Sequence, residues 1–150
     1  MTPHGDPVEI LLAEDNPGDA KLTKKAFEQG KILNNLHIVE DGVAALEFLR
    51  KDGEYRDKPR PDLVLLDLNM PRKDGWEVLE EIKDEPDLAP IPVIVLTSSE
   101  AEEDIVKSYE LQANAYLTKP VDFKGFMEIV NGFEEFWLSV VKMPPKDHGR

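Results

Sequence analysis

Apolar residues fall along the chain in two rhythms. Short apolar runs alternate with stretches where apolar positions recur every three or four residues. The first rhythm is that of buried strands and the second that of amphipathic helices. Val8 to Ala13 reads as the first strand. Pro17 opens a helix behind Asn16 as its cap, and that helix runs to about Gln29, where Gly30 ends it. His37 to Val39 closes a weaker second strand. Gly42 to Lys51 is helical, with Val43, Leu46 and Leu49 in step and Phe48 beside them. The polar segment Asp52 to Pro61, with Gly53, Pro59 and Pro61, is a loop that is long for this architecture. Leu63 to Leu66 reads as a central strand, Gly75 to Lys83 as a third helix, and Pro86 and Pro90 bracket the next loop. Pro92 to Thr97 is a fourth strand and Glu102 to Leu111 a fourth helix, whose acidic first turn suits the helix dipole. Ala115 to Leu117 is a short fifth strand, and Phe123 to Val141 a long last helix.

Five strand–helix units predict an α/β fold, a five-stranded parallel doubly wound sheet of flavodoxin-like order. With 150 residues the chain suits one domain. It spans residues 8–142, between a flexible N-terminal segment, 1–7, and a flexible tail, 143–150. Hydrophobic residues make up 41% and charged residues 33%, ordinary usage for a globular protein. The net charge of −13 argues against nucleic acid as a partner, because such binders carry a basic patch. The chain has no cysteine, which excludes disulfides and thiolate chemistry. No apolar run is long enough to span a membrane, and the polar start is not a signal peptide. The expected location is the cytoplasm.

Ligands of doubly wound sheets bind beyond the carboxyl ends of the strands. The first strand ends in Glu14 and Asp15, the third in Asp67, the fourth in Thr97, and the fifth near Lys119 and Pro120. Three carboxylates, a hydroxyl and an ammonium are thus expected in one pocket. Crowded carboxylates need a cation. Hard oxygen ligands without His or Cys suit Mg²⁺. A carboxylate can also act as a nucleophile and form an aspartyl phosphate, with Mg²⁺ and Lys119 neutralising the phosphoryl oxygens and the Thr97 hydroxyl donating a hydrogen bond. Taken singly, each residue has a plain reading as a cap, a loop acid or a surface lysine; the joint pattern is what points to phosphoryl transfer. His37 reads as a packed or edge histidine, and His4 and His148 lie in the tails.

The segments Ala-Glu-Asp-Asn-Pro (13–17), Asp-Leu-Asn-Met-Pro-Arg-Lys-Asp-Gly (67–75), Val-Leu-Thr-Ser (95–98) and Tyr-Leu-Thr-Lys-Pro (116–120) resemble the receiver domains of two-component signalling. The likeness extends from Val8 to about Val141. It implies that Asp67 is the phospho-acceptor. It implies that Asp15, Asp67 and the backbone carbonyl of Asn69 bind Mg²⁺, with Glu14 helping indirectly. Thr97 and Lys119 would bind the phosphoryl group, Tyr116 would be the aromatic switch, and the Lys119–Pro120 peptide would be cis. A finer resemblance is to stand-alone response regulators that partner phytochrome-type histidine kinases, carried by residues 37–49, 108–119 and 136–144 and by the loop with Gly53 and Tyr55. It implies a sensor histidine kinase as partner, and output is expected through binding or releasing a partner protein or through acting as a phosphate shuttle in a phosphorelay. It implies no enzyme beyond the chain's own phosphorylation and dephosphorylation.

Two other readings compete. Asp67-Leu-Asn69 is similar to the nucleophile motif of aspartate-nucleophile phosphohydrolases. In that family, however, the nucleophile follows the first strand, and Asn69 cannot serve as acid and base. A pseudo-receiver that never takes phosphate is opposed by the full set of site residues. In the last helix, Phe126, Ile129, Val130, Phe133, Trp137, Val140 and Val141 form one stripe, and Phe123, Met127, Phe136 and Leu138 extend it. The stripe alone is enough to cover one side of the sheet, so the plain reading is a broad core face with Phe136 under the tail; the sharper reading of the extra breadth is a homodimer through Phe126, Phe133, Phe136 and Trp137.

Overall fold

The computed structural model describes residues 7–30, 33–108, 113 and 115–131. Its elements run β1 (Val8–Ala13), α1 (Pro17–Glu28), β2 (Asn34–Val39), α2 (Gly42–Arg50), β3 (Leu63–Asp67), α3 (Gly75–Asp84), β4 (Val93–Thr97), α4 (Glu100–Ser108), β5 (Ala115–Thr118) and α5 (Phe123–Asn131). The strands form one parallel sheet in the order β2-β1-β3-β4-β5. This is the expected flavodoxin-like architecture. Strand order reverses at β1, so the crevice expected of such sheets opens between the ends of β1 and β3.

The period of two along each strand divides the core. Val8, Ile10 and Leu12 of β1, Leu63 and Leu65 of β3, and Ile94 and Leu96 of β4 pack with Ala20 and Phe27 of α1 and Phe126 of α5. Their neighbours Leu11, Ala13, Val64, Leu66, Val93 and Val95 face α2, α3 and α4, where Leu46, Phe48, Val78, Ile82 and Val106 cover them. β3 and β4 are buried along their whole length, as strands covered on both faces must be.

Phe126 belongs to this core. It is 2% exposed, and its ring centroid lies 4.9 Å from that of Phe27. It is therefore not part of a surface for a second copy, because α1 already covers it. Phe133, Phe136 and Trp137 lie outside the described residues, as do the expected tail and all of the N-terminal segment except Pro7.

Several boundaries differ from the sequence reading for physical reasons. β2 starts at Asn34 instead of His37, and its polar residues hide it from an apolar pattern. Asn34 Nδ2 donates to the Phe27 carbonyl at 3.1 Å, and Asn35 Nδ2 donates to Glu9 at 3.0 Å. The long loop contains a 3-10 turn, Gly53–Tyr55. α4 starts at Glu100 because Ser99 caps it: the Ser99 hydroxyl accepts from Glu102 N at 3.1 Å and its carbonyl accepts from Glu103 N at 3.0 Å. Residues 109–112, into which the predicted end of that helix falls, lie outside the described residues. Gly30 does follow α1, but its φ is not positive; a Cβ there would collide with the Phe123 ring. The glycine is needed for close packing of α1 on α5, not for a left-handed cap.

Gly75, the first residue of α3, sits against the backbone at the end of β3. Its N–H donates to the Leu68 carbonyl at 2.9 Å, and a Cβ would land on the Asp67 carbonyl. Asp74 caps the helix in a reciprocal pair with Glu77. The loop from Asp67 to Gly75 is thus pinned at both ends. Gly75→Ala is expected to destabilise the protein by about 1–3 kcal/mol through overpacking, seen as a lower urea midpoint. An unchanged midpoint would show that the loop gives way freely.

Candidate functional site

The carboxyl ends of β1, β3, β4 and β5 place Glu14, Asp15, Asp67, Thr97 and Lys119 at one edge of the sheet, as the sequence pattern required. Glu14 and Asp67 are 1% and 2% exposed, whereas Asp15 reaches solvent. One oxygen from each of Glu14, Asp15 and Asp67 lies within 4.8 Å of the others. Oxygens on opposite sides of a magnesium ion are about 4 Å apart, so this hard-oxygen set fits a small divalent cation.

Lys119 reaches into the cluster from the end of β5. Its Nζ lies 3.1 Å from Asp67 Oδ2, 3.0 Å from Asp19 Oδ2, and 3.2 and 3.4 Å from the two Glu14 oxygens. The Lys119–Pro120 peptide is cis, and the Lys119 N–H donates to the Thr97 carbonyl at 2.8 Å, which ties the β5 end to β4. Burial works against the charge on Lys119. The Asp19 hydrogen bond, the Asp67 charge and hydrogen bond and the Glu14 charge outweigh it, so its pKa rises above the usual lysine value.

Glu14 is pushed from 4.5 to about 7, first by burial and then by the hydrogen bond and charge of Asp67 beside it. The Asn16 N–H and the Lys119 charge offset only part of this. Burial and the neighbouring Asp67 thus favour a proton on Glu14.

Asn69 is held from two sides. Its N–H donates to Asp67 Oδ1 at 3.1 Å, and its side chain donates to Glu102 of α4 at 3.2 Å. Thr97 is fully buried, with its hydroxyl 3.4 Å from that of Thr118. Thr118 Oγ1 donates in turn to Glu103 at 3.2 Å. Tyr116 is half-buried and leans on the core beneath α4. Thr97 pairs with Thr118 and Val95 with Tyr116, so Thr97 and Tyr116 are diagonal neighbours on one face of the sheet.

Sequence reasoning missed Asp19, Thr118, Glu102 and Glu103. Thr118 could have been found from the register, because it lies two residues beyond Tyr116 on the face that carries Thr97. Asp19 carried no separable signal, since an acid in a helix's first turn is explained by the dipole alone.

A family model described as the response regulator receiver domain matches residues 10–131. Response regulator Rcp1 of Synechocystis sp. is 50% identical over 138 residues, covering 92% of this chain and 94% of Rcp1. The solved Mn(2+)-bound form of Rcp1 matches with a TM-score of 0.71, over 92% of this chain and 99% of that one. The bacteriophytochrome response regulator AtBRR matches with a TM-score of 0.81 at 43% identity, covering 88% and 96%. The phosphorylated cyanobacterial phytochrome response regulator RcpA has a TM-score of 0.71 at 47% identity, covering 89% and 96%.

The Glu14 shift sets a pH dependence. Its folded pKa lies above its unfolded value, so between pH 4.5 and about 7 the folded state binds more protons than the unfolded one. The Glu14 contribution is full below that window and is lost as pH rises through it. In metal-free protein, Glu14→Gln is expected to be more stable than wild type at pH 8, with the difference shrinking toward pH 5. Urea melts of both proteins across this range are the check, and a constant difference would remove Glu14 as the titrating group.

Proposed function

The chain belongs to the response regulator receiver domain family, and from that premise we propose that Asp67 accepts a phosphoryl group from a phytochrome-type sensor histidine kinase. The observation that carries this reading is the Asp67 carboxylate itself. It is buried, bonded to Lys119 at 3.1 Å and grouped with Glu14 and Asp15 in a set of oxygens that fits a divalent cation. In this reading Asp15, Asp67 and the Asn69 backbone carbonyl hold Mg²⁺, and Glu14 supports them indirectly. The cation supplies charge neutralisation for phosphoryl oxygens. Asp67 attacks phosphorus as the bond to the donor breaks. Lys119 and the Thr97 hydroxyl then take phosphoryl oxygens.

Thr97 can turn toward the phosphoryl group only by leaving Thr118. Tyr116, its diagonal neighbour, is the side chain best placed to fill the space released. Output then passes to a partner protein through the face that Tyr116 and α4 share. The chain is no enzyme in the ordinary sense, since the chemistry acts on its own aspartate. Its place of work in this reading is the cytoplasm, where a kinase would meet it. The phosphohydrolase alternative is not favoured. Asp67 ends the third strand, and Asn69 is engaged by Glu102 and has no proton to exchange as an acid.

The reading includes a homodimer through the last helix. With Phe126 in the core, the residues left for that contact are Phe133, Phe136 and Trp137. The support is the apolar breadth of the sequence beyond residue 131.

With Mg²⁺ and acetyl phosphate, the chain is expected to gain one base-labile phosphate, and Asp67→Asn to gain none, because an amide is a poor nucleophile and a neutral ligand. Intact-protein mass spectrometry reads this, and labelling that survives in Asp67→Asn would remove Asp67 from its role. Asp15→Asn is expected to weaken Mg²⁺ binding more than Glu14→Gln does, by calorimetry. For the dimer, Phe136→Asp is expected to shift the sedimenting species toward monomer by burying an unpaired charge. A wild type that stays monomeric at high concentration, with and without acetyl phosphate, would end that part of the reading.

A further inference from the structure

An ammonium group has three N–H donors. The three donors of Lys119 face three carboxylates: Asp19 at 3.0 Å, Asp67 at 3.1 Å and Glu14 at 3.2 Å. No donor of Lys119 is left for a new acceptor. A phosphoryl group arriving on Asp67 brings oxygens that need one, so a carboxylate must give up its bond.

The three differ in how easily they can do so. The Glu14 side chain is 0% exposed and would be left buried without its cation. The Asp67 side chain is 4% exposed and loses its charge when it becomes an acyl phosphate, so its own Lys119 donor passes to a phosphoryl oxygen without leaving the pocket, and a second phosphoryl oxygen needs a donor from another carboxylate. Asp19 is 35% exposed, so water can replace Lys119 around its carboxylate. Asp19 also stands apart from the metal-fitting group of Glu14, Asp15 and Asp67. Its position is set by its backbone alone. The Asp19 N–H donates to Asn16 Oδ1 at 2.9 Å, and its carbonyl accepts from the Thr23 hydroxyl at 3.0 Å. Neither bond uses the carboxylate, which is directed at Lys119.

We propose that Asp19 is a positioning residue for phosphoryl transfer: a rim carboxylate that keeps one Lys119 donor engaged until a phosphoryl oxygen replaces it. The inference rests on Asp67 being the phosphoryl acceptor. When acetyl phosphate is the donor, an Asp67 oxygen forms the new bond to phosphorus and acetate leaves with the electron pair of the broken P–O bond. The Lys119 hydrogen bond to Asp19 is exchanged for one to a phosphoryl oxygen, so the ammonium stays fully bonded in both states. The Asp19 charge opposes the incoming anion and holds Lys119 toward α1. Its removal therefore eases the exchange.

The test is phosphorylation of the full chain by acetyl phosphate at saturating Mg²⁺, followed by intact-protein mass spectrometry. Wild type, Asp19→Asn and Asp19→Glu are compared, with beryllofluoride affinity from Trp76 and Trp137 fluorescence or calorimetry as a second measurement. Asp19→Asn leaves the α1 cap intact, because Asn16 bonds the backbone of residue 19. It is expected to raise the second-order rate constant about three- to tenfold, the effect of losing one nearby charge in a partly solvated pocket. It should tighten beryllofluoride binding in the same proportion. Asp19→Glu, which keeps the charge, is expected to stay within about twofold of wild type. An unchanged or slower Asp19→Asn overturns the proposal, and so does an Asp19→Glu as fast as Asp19→Asn, since packing rather than charge would then be responsible. Failure of the wild type itself to be labelled would instead overturn the acceptor assignment, and the inference with it.

Discussion

The repulsion among carboxylates at one edge of a parallel sheet is the constraint on which this molecule turns. β1 and β3 are locked side by side from Ile10↔Leu63 to Ala13↔Leu66, so the acids that follow them cannot move apart. Separating Glu14 from Asp67 would mean breaking the central pairing of the sheet, where every residue of β3 is buried. The hydrophobic core therefore holds the charges together, and the pocket must balance them by other means. Lys119 does so from 52 positions beyond Asp67, on a strand placed two over in the sheet.

Three agents can relieve the same repulsion: a proton on Glu14, the ammonium of Lys119 and a cation among the oxygens. They are not independent. A cation that brings positive charge among the acids makes the Glu14 proton easier to lose. Lys119 keeps its charge because its acidic neighbours outweigh the burial that works against it. The pocket is thus tuned by competition for negative charge. A group that adds negative charge at Asp67 acts on all three agents at once.

The strands and their ends were legible because a parallel sheet covered on both faces demands continuous apolar runs, and the residue that breaks each run then lies at its rim. Glu14, Asp67, Thr97 and Lys119 were all found in this way. β2 was only half legible, because Asn34 and Asn35 satisfy themselves with a helix carbonyl and a neighbouring glutamate and leave no apolar trace. Gly30 marked the right boundary for the wrong reason, since its small size serves the Phe123 ring. Phe126 shows the limit of periodicity. A helical stripe says which residues share a face, but whether that face meets the sheet or a second molecule depends on the partner element, here Phe27 of α1. Asp19 was hidden by redundancy, because an acid in a first helical turn needs no further explanation.

Among the described residues, two hydrogen-bonded paths run from the pocket to the first turn of α4. One runs from Asp67 through the Asn69 N–H and side chain to Glu102; the other runs from Thr97 through Thr118 to Glu103. Glu102 also accepts from the Ser98 N–H at 2.6 Å, directly after the buried Thr97. Acids in this turn suit the helix dipole, yet they are fastened to residues whose partners depend on the charge at Asp67. The first turns of α2 and α3 are capped by Asp41 and Asp74. Among the described residues, α4 contributes Val106 to the core on its face. On its face of the sheet, α4 is the helix whose side chains bond to those that reach the pocket. These side-chain bonds connect the charge at Asp67 to the first turn of α4.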